Sequence, residues 1–165
     1  PARYAQLFDR VRGHGWFGNR GTSGIDGCTS TAVGAAFATK RTTTLITGDT
    51  AFCYDSNAFW NGHLSPDLKV IVIDNGGGNI FRFIEGPDTD AQLLPWFEAP
   101  HGRDIAKLVR SFDLPYHHAY DQASLEAGVD WLYAEYDKPA VLHITTDAAI
   151  SPQVLRDHFK QLRGE

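Results

Sequence analysis

Val70-Ile71-Val72-Ile73-Asp74-Asn75-Gly76-Gly77-Gly78-Asn79 is an apolar run that ends in a polar, glycine-rich loop. An earlier run, Thr43-Thr44-Leu45-Ile46-Thr47, ends in the same manner at Gly48-Asp49-Thr50. A third run, Ala140-Val141-Leu142-His143-Ile144, lies near the end of the chain. Short apolar runs closed by small or polar residues are typical of strands buried on both faces. We therefore expect three such strands.

Helical patterns alternate with these strands. Residues 51–61, 103–112 and 124–136 have helical spacing, and Ser151-Pro152 predicts the capped start of a helix that runs to Leu162. Strands and helices in this order indicate right-handed crossovers and a three-layer α/β/α fold with a mostly parallel central sheet. Residues 85–102 carry three prolines and are expected to form a long surface excursion.

Composition limits the kind of protein. With 165 residues, 42% of them hydrophobic and 21% charged, we expect residues 1–165 to form a single globular domain. A net charge of −5 argues against a nucleic-acid partner. No membrane span or signal peptide is recognisable, which predicts a cytoplasmic location. Because the chain starts at Pro1 and lacks methionine, we expect it to be a piece of a larger protein.

Neither the cysteines nor the histidines form a recognisable metal motif. Cys28 and Cys53 have neither zinc-site spacing nor disulfide-scaffold density, and both are expected to be reduced core thiols. His117-His118 would point to opposite faces of an extended segment and could not readily chelate one ion. We assign no catalytic histidine.

The polar loops after the first two strands predict a metal site. Carboxyl ends of parallel strands meet at one edge of a sheet, where ligands bind. Asp49 and Asn75 are separated by enough chain for one helix and one strand, so their oxygens can meet there. With the carbonyl of Gly77 they form a set that suits Mg²⁺ beside phosphate oxygens. The alternative is a simple turn at Gly48-Asp49 and a flexible strand exit at the glycines.

These two loops resemble the signature of thiamine-diphosphate enzymes, Gly-Asp-Gly followed some two dozen residues later by Asn-Asn. The sequence departs from it twice, because Thr50 replaces the last glycine and Asp74 replaces the first asparagine. The metal ligands of that family are the aspartate and the second asparagine, and both are kept here. The resemblance implies a thiamine-diphosphate-binding fold with magnesium or manganese at Asp49, Asn75 and Gly77.

A more specific resemblance covers nearly the whole chain, from about Arg3 to the last strand. Asn19-Arg20-Gly21-Thr22-Ser23-Gly24-Ile25-Asp26-Gly27, followed by Ser30-Thr31-Ala32, resembles the 2-succinyl-5-enolpyruvyl-6-hydroxy-3-cyclohexene-1-carboxylate synthases of menaquinone biosynthesis. Tyr54-Asp55-Ser56-Asn57 and Gly77-Gly78-Asn79-Ile80-Phe81 resemble them as well. The match is to the C-terminal third of those enzymes.

This resemblance implies roles for residues near the start of the chain. Ile25 falls where the family wedges an aliphatic side chain between the two cofactor rings, although it could be an ordinary core residue. Arg20 and Arg3 match arginines that grip substrate carboxylates. With Ile25, Arg20 is the residue assigned to catalysis. A surface salt bridge is the alternative for Arg20, and a frayed terminus is the alternative for Arg3.

It also implies roles around the two loops. Thr50 and Ala51 would offer backbone N–H groups to the diphosphate. Asn79 and Ile80 would contact the cofactor, and Ile80 would also contact the substrate. Phe81 would line the substrate pocket, unless it is simply a core aromatic residue.

The implied reaction is decarboxylation of 2-oxoglutarate and addition of the succinyl unit to isochorismate. An activating glutamate would come from the N-terminal pyrimidine-binding domain of a partner subunit, in a homodimer or homotetramer, so the isolated chain would be inactive. Two alternatives remain. One is another thiamine-diphosphate enzyme, either acetolactate-synthase-like or a 2-oxo-acid decarboxylase, and the other is a non-catalytic assembly or nucleotide-binding module.

Overall fold

The computed structural model describes residues 15–19, 21, 24–84, 86 and 92–164. Its strands are β1 (Thr43–Gly48), β2 (Leu68–Asp74), β3 (Tyr116–Ala119) and β4 (Ala140–Thr145). Its α-helices are α1 (Cys28–Thr39), α2 (Asp49–Tyr54), α3 (Leu94–Glu98), α4 (Ile105–Arg110), α5 (Gln122–Leu132) and α6 (Ile150–Arg163). Two 3-10 helices span Ser56–Trp60 and Asn79–Arg82.

The strands form one four-stranded sheet in the order β1-β2-β4-β3. All neighbouring pairs are parallel. Gly48 pairs with Ile73, and Asp74 pairs with Thr145, so the carboxyl ends of three strands lie at one edge. This register brings the polar loops that follow β1 and β2 together.

Helices cover both faces of the sheet. One face carries the larger core, in which Val70, Val72 and Val141 contact α1, α2 and α4. The other face carries a smaller core of Leu142 and its neighbours against α5. Adjacent residues of β4 therefore point to opposite cores, as the alternation of strand side chains requires. The predicted three-layer α/β/α fold with a parallel sheet is confirmed.

The three predicted strands are present, but one strand (β3) and two helices (α1 and the short α3) escaped prediction. β3 has the sequence Tyr-His-His-Ala, which is not an apolar run. Helix α1 consists largely of alanine, threonine and glycine, so it has no clear apolar stripe for periodicity to detect. Its small side chains pack closely on the core, where Ala32, Val33 and Ala36 are buried.

Several predicted helix bounds were wrong. The helix expected over 51–61 is α2 followed by a separate 3-10 helix, and Asp55 at the junction is buried beneath the start of α1. The helices expected over 103–112 and 124–136 are α4 and α5, which begin after side-chain caps at Asp104 and Asp121. Cap chemistry, not apolar spacing, sets these starts.

The last helix and the proline-rich segment also differ from expectation. α6 starts at Ile150, and Oδ1 of Asp147, rather than Ser151, accepts hydrogen bonds from the N–H groups of Ala149 and Ile150. The predicted excursion over 85–102 contains the short helix α3, while residues 85 and 87–91 lie outside the described part. Both cysteines are free thiols but half-buried, so they are not fully in the core.

Candidate functional site

Asp49 lies at the carboxyl end of β1 and is almost completely buried, at 2% exposed. Its Oδ1 accepts a hydrogen bond of 2.7 Å from the backbone N–H of Thr50. Its Oδ2 lies 3.2 Å from Nε2 of His101, which comes from the segment between α3 and α4. The carboxylate is thus held on both oxygens, at the position where a ligand site was predicted.

Asp74 ends β2 beside Asp49. Its Oδ1 accepts from the backbone N–H of Gly76 at 2.9 Å, and its Oδ2 lies 2.9 Å from Nε2 of His143. Oxygen or nitrogen ligand atoms of Asp49, Asp74 and His101 all lie within 4.8 Å of one another. Two carboxylates and an imidazole in such a group are suitable for binding a divalent cation.

The two carboxyl groups titrate in opposite directions. Burial raises the pKa of Asp49, and the hydrogen bond with Asp74 raises it further, outweighing the bonds from Thr50 and His101. Burial also acts to raise the pKa of Asp74, but hydrogen bonds from His143, Asp49 and Gly76 hold it at about 2. Two carboxyl groups this close repel each other when both are ionised, and a bound cation would relieve that repulsion.

Asn75 and Gly77 follow Asp74 in the glycine loop. Oδ1 of Asn75 is buried without a hydrogen-bond partner, which is costly unless another group satisfies it. The carbonyl of Gly77 accepts from the N–H of Asn79 at 2.9 Å and retains a second lone pair. A buried unpaired amide oxygen in the loop that directly follows Asp74 fits the donor set of a hard divalent cation.

Gly77 is a close-approach position. A Cβ added there would lie 2.8 Å from the carbonyl oxygen of Glu98, at the end of α3. That same oxygen accepts a hydrogen bond of 2.7 Å from the N–H of Gly78. Only glycine fits at 77, because any side chain would separate the loop from α3.

The structure places the other predicted cofactor residues around this edge. Thr50 and Ala51 form the first turn of α2, and the N–H of Thr50 is engaged by Asp49. Asn79 is buried, donates through Nδ2 to the carbonyl of Ala148 at 3.1 Å, and has an unpaired Oδ1. Ile80 is 40% exposed, and Phe81 packs against Phe97 with ring centroids 5.4 Å apart.

The predicted residues near the start of the chain are only partly described. Ile25 is 41% exposed on the bend before α1, so the alternative that it is an ordinary core isoleucine is wrong for this chain. Arg3 and Arg20 lie outside the described residues. Asn19 from the same stretch donates to the carbonyl of Gly27 at 2.9 Å, next to the first turn of α1.

Sequence reasoning missed two side chains at this edge, and it gave no role to the buried Asp55. His101 and His143 each bind a group far away in sequence, and neither belongs to a local motif. Asp55 accepts hydrogen bonds of 2.7 Å from both the N–H and the hydroxyl of Ser30 in α1. For His143, the available signal in the sequence was its position as a polar residue within an apolar strand. The sequence around His101 carried no signal of its contact with Asp49.

The prediction about His117 and His118 agrees with the structure. His117 packs against Trp131 of α5, whereas His118 stacks on His143 on the other face of the sheet. Neither belongs to the group of Asp49, Asp74 and His101, the side chains among the described residues that could together hold a metal ion. In the described part of the chain, no helix has the length and apolar character that crossing a membrane requires.

Comparison with known proteins agrees with this geometry. Residues 2–144 match the family model of the thiamine pyrophosphate enzyme, C-terminal TPP binding domain. The chain is 40% identical over 160 residues to a 2-succinyl-5-enolpyruvyl-6-hydroxy-3-cyclohexene-1-carboxylate synthase from Flavobacterium johnsoniae, covering 97% of this chain. It is 39% identical to the synthase of that name from Porphyromonas gingivalis, over 100% of this chain.

The chain spans 29% of the length of each of these two relatives. The family match covers both loops at the sheet edge, including the buried carboxylate of Asp49 and the glycines after β2. The chain belongs to the family of C-terminal thiamine-pyrophosphate-binding domains of thiamine pyrophosphate enzymes.

Proposed function

We propose that this chain is the diphosphate-binding domain of a 2-succinyl-5-enolpyruvyl-6-hydroxy-3-cyclohexene-1-carboxylate synthase in menaquinone biosynthesis. The enzyme would decarboxylate 2-oxoglutarate and add the succinyl unit to isochorismate. Support comes from relatives of that name at 40% and 39% identity. Because the match covers 29% of each relative, we propose that residues 1–165 act as one C-terminal domain of a larger enzyme.

The observation that best supports the proposed metal site is a buried amide oxygen that has no hydrogen-bond partner. Asn75 Oδ1 has no partner, and it follows directly on the strand that pairs with β1 at Gly48. Asp49, Asn75 and the carbonyl of Gly77 would hold Mg²⁺ or Mn²⁺ against the diphosphate. A cation would also balance the charge of the neighbouring carboxyl groups of Asp49 and Asp74, whose oxygens lie within 4.8 Å of each other.

Thiamine diphosphate, when bound, supplies the electron sink that a 2-oxo acid needs in order to lose carbon dioxide. This chain's residues bind and orient it. Thr50 and Ala51 would offer polar groups to the diphosphate, and Asn79 and Ile80 would contact cofactor. The exposed Ile25 would support the bent cofactor shape, because an aliphatic side chain can fill the space between two rings.

We assign substrate recognition to two arginines near the start of the sequence and to two residues after the glycine loop. Arg20 and Arg3 would bind substrate carboxylates through their guanidinium forks. Ile80 and Phe81 would form the apolar wall of the substrate pocket. We further propose a cytoplasmic homodimer or homotetramer, in which the pyrimidine-binding domain of a partner subunit supplies the activating glutamate.

Replacing Asp49 and Asn75 separately with alanine in the full-length enzyme tests the metal site. Calorimetric titration of thiamine diphosphate, with and without Mg²⁺, should show that each variant loses the Mg²⁺-dependent gain in affinity. Asp130→Ala, an exposed position on α5, is the matched control. A non-catalytic assembly module would show unchanged binding in the Asp49 variant.

Arg20→Ala tests the substrate assignment. We expect it to weaken the addition to isochorismate more than the loss of carbon dioxide from 2-oxoglutarate, measured in separate assays. An acetolactate-synthase-like enzyme or a 2-oxo-acid decarboxylase would not need this arginine for isochorismate. Unchanged addition in the variant would therefore contradict the proposed synthase.

A further inference from the structure

His101 reaches Asp49 from a part of the chain that neither signature loop contains. It lies between α3 and α4, and its side chain is 14% exposed. Its Nε2 is 3.2 Å from Oδ2 of Asp49, across 52 positions of sequence. No role for a histidine followed from the sequence, so this contact is information that only the fold supplies.

Hydrogen bonds determine which ring nitrogen of His101 carries the proton. The backbone N–H of Arg103 donates to Nδ1 at 2.9 Å, so Nδ1 acts as an acceptor and carries no proton. The proton of the neutral ring is therefore on Nε2, which donates to Asp49. The ring is held from both sides, and its orientation does not depend on solvent.

The segment that carries His101 is itself anchored to the glycine loop. We call residues 98–103 the crossing segment. The carbonyl of Glu98 at its start accepts from the N–H of Gly78 at 2.7 Å. The carboxylate of Glu98 binds the guanidinium of Arg82, with Nη2 and Oε2 2.9 Å apart. The crossing segment thus touches the loop after β2 at one end and the carboxylate after β1 at the other.

Donors from Thr50 and His101 hold the two oxygens of Asp49. The N–H of Thr50 donates to Oδ1 at 2.7 Å and its hydroxyl lies 3.4 Å from the same oxygen, whereas His101 Nε2–H donates to Oδ2. An ionised carboxylate has about four lone-pair sites, so it can accept these bonds and still bind a cation. Without His101, both donors from Thr50 would remain on Oδ1, and Oδ2 would lose the donor that orients it.

We propose that His101 is a positioning residue for the metal site, which it orders by donating a hydrogen bond to Asp49 while the crossing segment fixes the glycine loop. This proposal rests on the proposed function, since it assumes that Asp49 binds the divalent cation. Outer-shell partners of metal ligands typically change metal affinity by about tenfold to hundredfold when they are removed. His101 is such an outer-shell partner, because its Nε2 lies 3.2 Å from Oδ2 of the proposed ligand Asp49.

The test compares two side chains of similar length at position 101 in the full-length protein. His101→Leu keeps the half-buried volume and removes the donor, whereas His101→Gln keeps an N–H donor. Mn²⁺ binding is followed by electron paramagnetic resonance in the presence of thiamine diphosphate. We expect the leucine variant to bind Mn²⁺ about tenfold to hundredfold more weakly, and the glutamine variant to recover most of that loss.

Arg103→Ala is the matched control in the same segment. Its contact with His101 runs through the backbone N–H, so removing the side chain should leave Mn²⁺ affinity unchanged. The metal-free melting temperature of the leucine variant should stay close to that of the glutamine variant. A purely structural role would instead lower the melting temperature without a difference in Mn²⁺ affinity between leucine and glutamine.

Three outcomes separate this inference from the proposed function. If Asp49→Ala binds Mn²⁺ as tightly as the unchanged protein, the metal site itself is wrong. Loss of binding in Asp49→Ala together with full affinity in His101→Leu would overturn only the role of His101. Electron spin echo modulation from a directly bound imidazole nitrogen, absent in His101→Leu, would make His101 a ligand and likewise overturn the positioning role.

Discussion

Asp74 departs from the family signature at a single residue and lies close to Asp49 and His101 at the sheet edge. The resemblance has asparagine at this position, and here a carboxylate accepts from His143 and from the N–H of Gly76. The other ring nitrogen of His143 is 2.8 Å from the hydroxyl of Tyr116. The chain therefore satisfies this carboxylate with a hydrogen bond from a histidine on β4, whose other ring nitrogen lies beside a tyrosine hydroxyl on β3.

Removing His143 should leave the carboxylate of Asp74 with one donor fewer in a largely buried place. We expect His143→Ala to lower the free energy of unfolding by about 1–3 kcal/mol, because a buried acceptor loses its partner. Urea denaturation followed by circular dichroism measures this. His63→Ala is the control, since His63 is exposed and should change stability by less than about 0.5 kcal/mol. Equal stability of the two variants would contradict the expectation.

Cys53 is predicted to be a slow nucleophile. Burial raises the pKa of its thiol to about 11, and the nearby carboxylates of Asp49 and Asp74 add to the shift. A raised thiol pKa means less thiolate at any given pH, so the alkylation rate should climb roughly tenfold per pH unit up to about pH 10. The measurement is iodoacetamide labelling of the Cys28→Ser variant across pH. A plateau by about pH 9 would indicate an ordinary thiol.

At the scale of elements, α1 and α2 are joined by one buried carboxylate. Asp55, directly after α2, accepts from the N–H and hydroxyl of Ser30 in the first turn of α1. A carboxylate near a helix N-terminus satisfies an N–H that has no partner within the helix. This contact connects Ser30-Thr31-Ala32 with Tyr54-Asp55-Ser56-Asn57, two separate stretches that each resemble the synthase family.

Asp55→Ala should destabilise the packing of α1 on the sheet. Ser30 would lose both bonds, and we expect a loss of about 1–3 kcal/mol in the free energy of unfolding. Hydrogen exchange should show the largest loss of protection in the first turn of α1. Asp130→Ala on the exposed side of α5 serves as the control. Unchanged protection of α1 in the Asp55 variant would mean that its start is held by other contacts.

At the scale of the whole molecule, this chain contains the metal-binding side of the proposed site. The carboxylates near β1 and β2 are suited to a cation and a diphosphate, and the resemblance assigns the activating glutamate to another domain. Ile25 and Ile80, both predicted to meet cofactor, are 41% and 40% exposed in this chain. We therefore expect a partner domain to cover these two exposed side chains and so to complete the proposed site.

The purified 165-residue chain is accordingly expected to be inactive. With 2-oxoglutarate, isochorismate, thiamine diphosphate and Mg²⁺ present, carbon dioxide release should not exceed the background without protein. The full-length enzyme under the same conditions is the positive control. Robust turnover by the chain alone would show that the activating group lies within these residues.

Much of the fold was predictable because its signals are local. Apolar runs at β1, β2 and β4 predicted buried strands, and their alternation with helices predicted a parallel sheet. The site edge followed from the same reasoning, since Asp49 and Asn75 come directly after two of those strands. β3 was missed because Tyr-His-His-Ala is not an apolar run, and its two histidines pack against Trp131 of α5 and His143 of β4, which are distant in sequence.

The sequence by itself determined three strands of the described sheet, the family and the position of Asp49 and Asn75 after two of those strands, because short patterns of apolar and polar residues encode strands and their ends. Only the tertiary structure decided how those groups are held. His101 meets Asp49 across 52 positions, and His143 meets Asp74 across 69. Such contacts depend on how separate elements pack, and no local periodicity records which side chains packing will bring together.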